Sequence, residues 1–273
     1  MPTFHSPVDG TTLAYQDYGT GTPIVFVAGW SLHGDSWEYQ LHHFLERGYR
    51  CVLPDRRGHG RSDRPAAGYD VDARADDLAG LIELLDLRDV TLVAHSAGGG
   101  EVVRYLSRHG SDRVARIALL APTIPFLMQT DDNPAGAPPI ALEAALHQLR
   151  TDRPQWFAER AQGYFATHLR PGMSQAMIDT EVQRCLSAAP YAVVEVQRQV
   201  FITDHRADVA ALSVPTLLLH GQADQSIPIE ITSREVVKLA PHAVLKEYPD
   251  AGHGLYLTHQ REVNEEILAF IKG

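Results

Sequence analysis

Thr91-Leu92-Val93-Ala94-His95-Ser96-Ala97-Gly98-Gly99-Gly100 is the stretch whose reading decides the fold. Val90 to Ala94 is a short apolar run, the pattern of a buried strand. Ser96 and several small residues follow, and Glu101 to His109 has helical spacing. A strand that turns sharply into a helix with serine at the apex is a nucleophile elbow. The turn is strained, so its neighbours must be small, and Ala94, Ala97, Gly98 and Gly99 meet that demand. Gly98 allows helix and strand backbones to approach closely. The serine hydroxyl then lies beside a helix N-terminus, whose N–H groups can receive an oxyanion. The usual pattern is Gly-x-Ser-x-Gly, and here Ala94 takes the first position. The competing reading, a phosphate-binding loop, lacks both Gly-Lys-Ser/Thr and the spacing Gly-x-Gly-x-x-Gly.

Outward from this stretch, strands and helices alternate. Thr3 to Tyr18 reads as a hairpin around Val8-Asp9-Gly10. Pro23 to Val27 is a continuous apolar run, as expected of a strand covered on both faces. Ser36 to Glu46 has helical spacing, Tyr49 to Leu53 is a strand, Asp72 to Leu87 an amphipathic helix, and Arg113 to Ala121 another strand. Such an order calls for a parallel sheet with right-handed crossovers. Pro122 to Ala211 breaks it. That segment holds no convincing strand, but helix-like runs at 140–149, 155–167, 175–186 and 191–201. The sheet pattern resumes at Val214 to Leu219. A helix over about 230–239, a last strand at 243–248 and a closing helix at 263–271 complete the chain. The expected class is therefore α/β. Residues 1–121 and 212–273 form a mostly parallel sheet flanked by helices, and 122–211 a helical cap inserted before the last two strands.

With 273 residues and 44% hydrophobic content, the chain can bury one large α/β core. Its net charge of −10 disfavours a nucleic-acid partner, which needs a basic surface. The longest apolar stretch, 117–128, contains Pro122 and Pro125 and is too short to span a bilayer. Met1 to Gly10 is polar and turn-rich, unlike a secretory leader. Of the two cysteines, Cys51 falls in a core strand and reads as a free buried thiol. These features fit a reducing cytoplasm. Self-association is left open, a homo-oligomer included.

A serine hydroxyl needs a base to take its proton. Of 14 histidines, His253 lies on a loop after a strand, between Gly252 and Gly254. His220 opens its turn rather than sitting at the tip, and His95 should point away from the pocket. The base in turn needs a carboxylate, and Asp224, on the loop after the preceding strand, suits it. Asp250, three residues from His253, is the runner-up for the acid and reads rather as a local turn residue. The order Ser96, Asp224, His253 is that of the elbow architecture. One oxyanion donor is the backbone N–H after the nucleophile, at Ala97. The other comes from the loop after the strand at 23–27, and is assigned to Trp30. Asp55 and His59 lie in a charged loop, 54–63, that more plausibly braces itself with ion pairs and turn hydrogen bonds. Trp30, Phe126, Trp156, Phe165 and Phe201 are the candidates to line a substrate pocket, though packing of the cap onto the body accounts for each cap aromatic equally well. No pair of histidines has the spacing of a zinc motif, so neither metal nor cofactor is expected.

Four pieces carry a resemblance to a known family: Gly29-Trp30; Asp55 to Ser62; Ala94 to Glu101; and His220-Gly-Gln-Ala-Asp224 with Gly252-His253. Over essentially its whole length the chain resembles an α/β-hydrolase, most closely the cofactor-free haloperoxidase (perhydrolase)/arylesterase group. The resemblance implies a triad of Ser96, Asp224 and His253, oxyanion donors at Trp30 and Ala97, and a small-molecule ester or lactone substrate. Many members of that group that make peracids carry Pro directly after the Trp, where this chain has Ser31. The expected activity is carboxylic-ester hydrolysis. Perhydrolysis with halide oxidation by the released peracid, or lactam hydrolysis, with the same residues is the alternative, and a non-enzymatic small-ligand receptor or stress regulator that keeps its triad is a further one. An Asp nucleophile would have indicated a dehalogenase or epoxide hydrolase; Ser96 argues against both.

Overall fold

The computed structural model of the chain describes residues 1–170 and 172–273. Eight strands form one sheet in the order β1-β2-β4-β3-β5-β6-β7-β8. They are β1 (Thr3–His5), β2 (Thr12–Tyr18), β3 (Pro23–Val27), β4 (Arg50–Pro54), β5 (Val90–His95), β6 (Val114–Leu120), β7 (Thr216–Gly221) and β8 (Val244–Tyr248). β1 and β2 pair antiparallel as a hairpin, β2 pairs antiparallel with β4, and all other pairs are parallel. β4 lies on one side of β3 and β5 on the other, so chain direction across the sheet reverses at β3. Loops leaving the C-terminal ends of strands on either side of such a reversal open a crevice, where ligands of α/β sheets bind.

Successive side chains of the central strands point to opposite faces, and each face has its own core. Val25, Val27, Leu92, Ala94, Ile117, Leu119 and Leu218 meet helices α2 (Val71–Leu84) and α3 (Ala97–His109). Ile24, Phe26, Val93, Ala118, Leu120, Leu217 and Leu219 meet α1 (Glu38–Leu45) and the closing helix, α11 (Gln260–Lys272). Covering on both faces is why β3, β5 and β7 read as unbroken apolar runs rather than alternating ones.

Between β6 and β7 come α4 (Pro139–Thr151), α5 (Arg153–Phe165), α6 (Gln175–Ser187), α7 (Pro190–Ile202) and a short α8 (Arg206–Ala210). α4 packs on α7 and α5, and α5 on α6, whereas α8 packs on α3 and on α9 (Ser233–Leu239). Leu142, Leu146, Leu149, Phe157 and Val193 form a separate small core inside the insertion. A short helix, α10 (Leu255–Thr258), precedes α11.

Among the boundaries that differ from the sequence reading, two have a clear physical reason. α3 begins at Ala97, not Glu101. Ala-Gly-Gly-Gly is poor helix sequence by propensity, but close packing against β3 and Pro122 selects small residues, and tertiary context overrides the local preference. The single helix expected over 230–239 is a 3-10 turn (Ile229–Ile231) followed by α9, broken at Thr232, whose φ and ψ are −127° and −99°.

Candidate active site

Ser96 sits between β5 and α3 with φ 53° and ψ −120°, a backbone conformation that L-residues rarely adopt. A non-glycine residue held there carries a strain of about 1–3 kcal/mol, sustained by its surroundings. Its N–H donates to Leu120 O (2.9 Å) and its carbonyl accepts from Gly99 N–H (2.9 Å). At Gly98, a Cβ would lie 2.7 Å from Val27 O and 2.9 Å from Ala28 O. The close approach read from the sequence is thus that of the first turn of α3 to the end of β3.

β5, β7 and β8 are parallel, so the loops that follow them share one sheet edge. The loops after β7 and β8 are stitched together: Gln222 N–H donates to Tyr248 O (2.8 Å) and Ala223 N–H to Ala251 O (3.0 Å). The His253 loop is tied to the end of α5 by Gly254 N–H to Tyr164 O (2.9 Å). The sum of these constraints brings three buried groups into line. His253 Nε2 lies 2.9 Å from Ser96 Oγ, and His253 Nδ1 lies 2.7 Å from Asp224 Oδ2. Because the carboxylate only accepts, Nδ1 carries the proton and Nε2 is the acceptor for the serine O–H. Asp224 Oδ1 accepts from Ser226 N–H (2.9 Å) and Ile227 N–H (2.8 Å). Burial opposes ionisation of Asp224, but the neighbouring charge of His253 and hydrogen bonds from His220 and His253 outweigh it. Its carboxyl is held well below the usual range, which fits a permanent anion beside an imidazole.

Asp250 is 48% exposed and pairs with His259 Nε2 at 3.1 Å rather than with His253. His95 departs from its expected orientation away from the pocket. Its ring packs 4.8 Å from that of His253 and 4.7 Å from that of Tyr256, and it borders the cavity. Its Nε2 donates to His253 O (3.1 Å), while the buried Nδ1 has no partner among the described residues. His220, weighed from sequence only as a rival base, lies directly behind Asp224.

Neither the Trp30 nor the Ala97 backbone N–H is engaged in a hydrogen bond among the described residues. The Trp30 indole donates to Val193 O (2.8 Å), and its ring contacts those of Trp156 (5.2 Å) and Phe157 (5.5 Å). The charged loop at 54–63 braces this region. Arg56 donates to Gly29 O (2.6 Å) and Ala28 O (2.5 Å) and pairs with buried Glu101 (2.8 Å), which also holds Arg74 (2.7 Å). Asp55 accepts from the N–H groups of Gly34 (2.8 Å) and Arg61 (2.9 Å). His59 is buried and turned to Arg57 O (2.9 Å). Neither reaches Ser96.

A cavity of about 470 Å³ opens over Ser96 and His253. Of the expected lining residues, Trp30, Trp156, Phe165 and Phe201 border it. Phe126 does not: its ring lies under the Arg206 guanidinium, 5.2 Å away. A proline-bounded segment gave no register from which the sequence reading could orient it. Tyr164, Cys185 and Ile227 also line the cavity and were not singled out from sequence. Burial pushes the Cys185 thiol up to about 12, so it offers no thiolate to compete with Ser96. No helix among the described residues is long and apolar enough to cross a membrane.

An open, mostly parallel sheet with a serine elbow at its carboxyl edge defines a class, and comparison with known proteins agrees. The family model for the alpha/beta hydrolase fold matches residues 22–260. The chain belongs to the α/β-hydrolase family and is a hydrolytic enzyme of its haloperoxidase-like group. It is 40% identical to a non-heme haloperoxidase of Rhodococcus erythropolis over 100% of both chains. It is 34% identical to a bifunctional esterase/perhydrolase of Acinetobacter calcoaceticus, over 97% of this chain and 98% of the other. Among solved structures, a bromoperoxidase from Bacillus anthracis superposes with a TM-score of 0.94 at 34% identity, covering 100% of this chain and 99% of that one.

Proposed function

We propose that the chain hydrolyses carboxylic esters of small acyl or aryl groups, and lactones, through an acyl-enzyme on Ser96. The carrying observation is the alignment of Ser96 Oγ, His253 and Asp224 at 2.9 and 2.7 Å beneath a cavity partly lined by aromatic side chains. His253 Nε2 takes the proton of Ser96 Oγ as that oxygen attacks the acyl carbon. The tetrahedral oxyanion is received by the free N–H groups of Trp30 and Ala97, each donor being worth about 10²- to 10³-fold in rate. The protonated imidazole, stabilised by Asp224, gives its proton to the departing alkoxide. Water, deprotonated by the same nitrogen, then attacks the acyl-enzyme and releases the acid and Ser96. Residues 1–121 and 212–273 supply this machinery, and 122–211 act as the cap that shapes the cavity. The free cysteines suit a reducing cytoplasm.

A second reading is supported by the esterase/perhydrolase relative. With hydrogen peroxide in place of water, the deacylation step yields a peracid instead of an acid. Many peracid-making members of the group that the sequence resembles carry Pro directly after the Trp, where this chain has Ser31. Ester hydrolysis is therefore expected to exceed perhydrolysis, which the product ratio at equal ester concentration measures.

The test is fluorophosphonate labelling with mass mapping, run beside hydrolysis of a short p-nitrophenyl ester. Label on Ser96, rapid turnover and loss of both in Ser96→Ala are expected. Retention of most turnover in Ser96→Ala would sink the assignment.

A further inference from the structure

Asp224 has a second histidine. His220, near the end of β7, is fully buried, and its Nε2 lies 3.2 Å from Asp224 Oδ2 and 3.0 Å from Ile227 O. Both neighbours are acceptors only, so Nε2 carries a proton whatever the charge of the ring. On the other side, His220 Nδ1 lies 2.8 Å from the hydroxyl of Ser233, the first residue of α9, which is itself fully buried. Ser233 Oγ has no other partner among the described residues, so its proton is free to point at Nδ1 and hold the Nε2–H tautomer.

The consequence lies at Asp224. A carboxylate offers about four lone-pair positions. Oδ1 receives two backbone N–H groups, Oδ2 receives His253 Nδ1–H, and His220 supplies the fourth donor, to the same oxygen that serves His253. Two rings therefore share one oxygen. A donor on that oxygen fixes the plane of the carboxylate and draws electron density from it. Less negative charge then faces the His253 imidazolium.

We propose that His220, with its tautomer set by Ser233, is a positioning residue of the active site: it orients Asp224 and tempers the charge that Asp224 presents to His253. This rests on the reading of Ser96, His253 and Asp224 as the hydrolytic machinery. His220 touches neither substrate nor Ser96; it acts through the carboxylate.

His220→Leu, His220→Gln and Ser233→Ala are compared with the parent using p-nitrophenyl acetate across pH. His220→Leu should lower kcat on the order of tenfold, the scale of a lost outer partner of an active-site group, with KM unchanged. Its acid limb in kcat/KM should move up by roughly half a pH unit, because the freed carboxylate stabilises imidazolium more strongly. His220→Gln keeps an N–H donor and should restore most of the rate and the parental limb. Ser233→Ala should shift the limb in the same direction by less, and it decides the matter if His220→Leu does not fold. Parental kcat and limb in His220→Leu, or in Ser233→Ala where the former fails to fold, would overturn the proposal. So would a loss of rate that leaves the limb in place and is not rescued by His220→Gln, since that is the mark of a packing role. Ser96→Ala is assayed alongside. Turnover in that variant would bring down the parent reading and this one together, whereas an inactive Ser96→Ala beside an unaffected His220→Leu would bring down only this one.

Discussion

Two buried His–Asp contacts made through Nδ1 have nearly equal geometry in two different settings. At the sheet edge, His253 Nδ1 meets Asp224 at 2.7 Å; beneath α3, His205 Nδ1 meets Asp208 at 2.9 Å. All four residues are buried. What separates the pairs is the face each imidazole turns away from its carboxylate. His253 Nε2 faces a hydroxyl on a strained turn at the mouth of a cavity. The ring of His205 lies against Gly100, where a Cβ would come within 2.9 Å of Nε2. The backbone N–H of His205 donates to Pro125 O at 2.8 Å, and Asp208 is shared with Arg104 (3.3 Å). A buried His–Asp pair is therefore not a chemical signature in itself. The second pair ties α8 and the start of the insertion to α3, and the first is set where a substrate can arrive.

The largest expected effect tests that division. Asp224→Asn should lower kcat for a short p-nitrophenyl ester by about 10⁴-fold, because the amide can hold the wrong tautomer of His253 and cannot stabilise its charged form. Asp208→Asn should leave kcat/KM within about threefold while costing about 1–3 kcal/mol of stability through its weakened buried hydrogen bonds. Steady-state kinetics and urea unfolding on the two variants check both halves. A catalytic loss in Asp208→Asn comparable to that in Asp224→Asn would erase the distinction. Asp250→Asn should fall with the Asp208 variant, within about twofold of the parent in rate, since the half-exposed Asp250 pairs with His259 rather than with His253.

A smaller effect separates two aromatic residues that look alike in the sequence. Trp156 borders the cavity, while Phe126 lies under Arg206. Trp156→Ala should raise KM for a short aryl ester about tenfold, the worth of one lost aromatic wall, and shift preference toward longer acyl chains. Phe126→Ala should leave KM and chain-length preference unchanged. A p-nitrophenyl acetate-to-octanoate series reads both. The contrast also shows where the sequence was legible. Strand runs such as Pro23 to Val27 and the elbow at Ser96 are constrained on both sides by packing, so residue type and order carry their structure. That Asp224 and His253 share one sheet edge was legible because both follow strands of one parallel sheet. Phe126 was not, since it lies in a proline-bounded stretch outside any helix or strand, with no register to say what its ring meets. The poor helix propensity of Ala97 to Gly100 concealed the true start of α3. His220 was hidden by its own position: the same placement that ends β7 suits a base and a support for the acid equally.

The smallest effect concerns pH, and it sharpens the comparison from the side of stability. Burial lowers the pKa of His205, against the opposing pull of Asp208, and lowers those of His59 and His95 well below the ordinary value of 6.5. A histidine held neutral in the fold binds its proton in the unfolded chain first. Stability from each is thus fully present above about pH 6.5 and declines as pH falls below that value toward the depressed folded pKa. Across that window, each such group contributes a slope of up to about 1.4 kcal/mol per pH unit. Urea midpoints should therefore fall from pH 7 to pH 5, and they should fall less steeply in His205→Gln, which has no proton to take up. An unchanged slope in His205→Gln would mean that the pair beneath α3 accepts its proton without cost, and that its buried carboxylate, not its buried imidazole, dominates the local electrostatics.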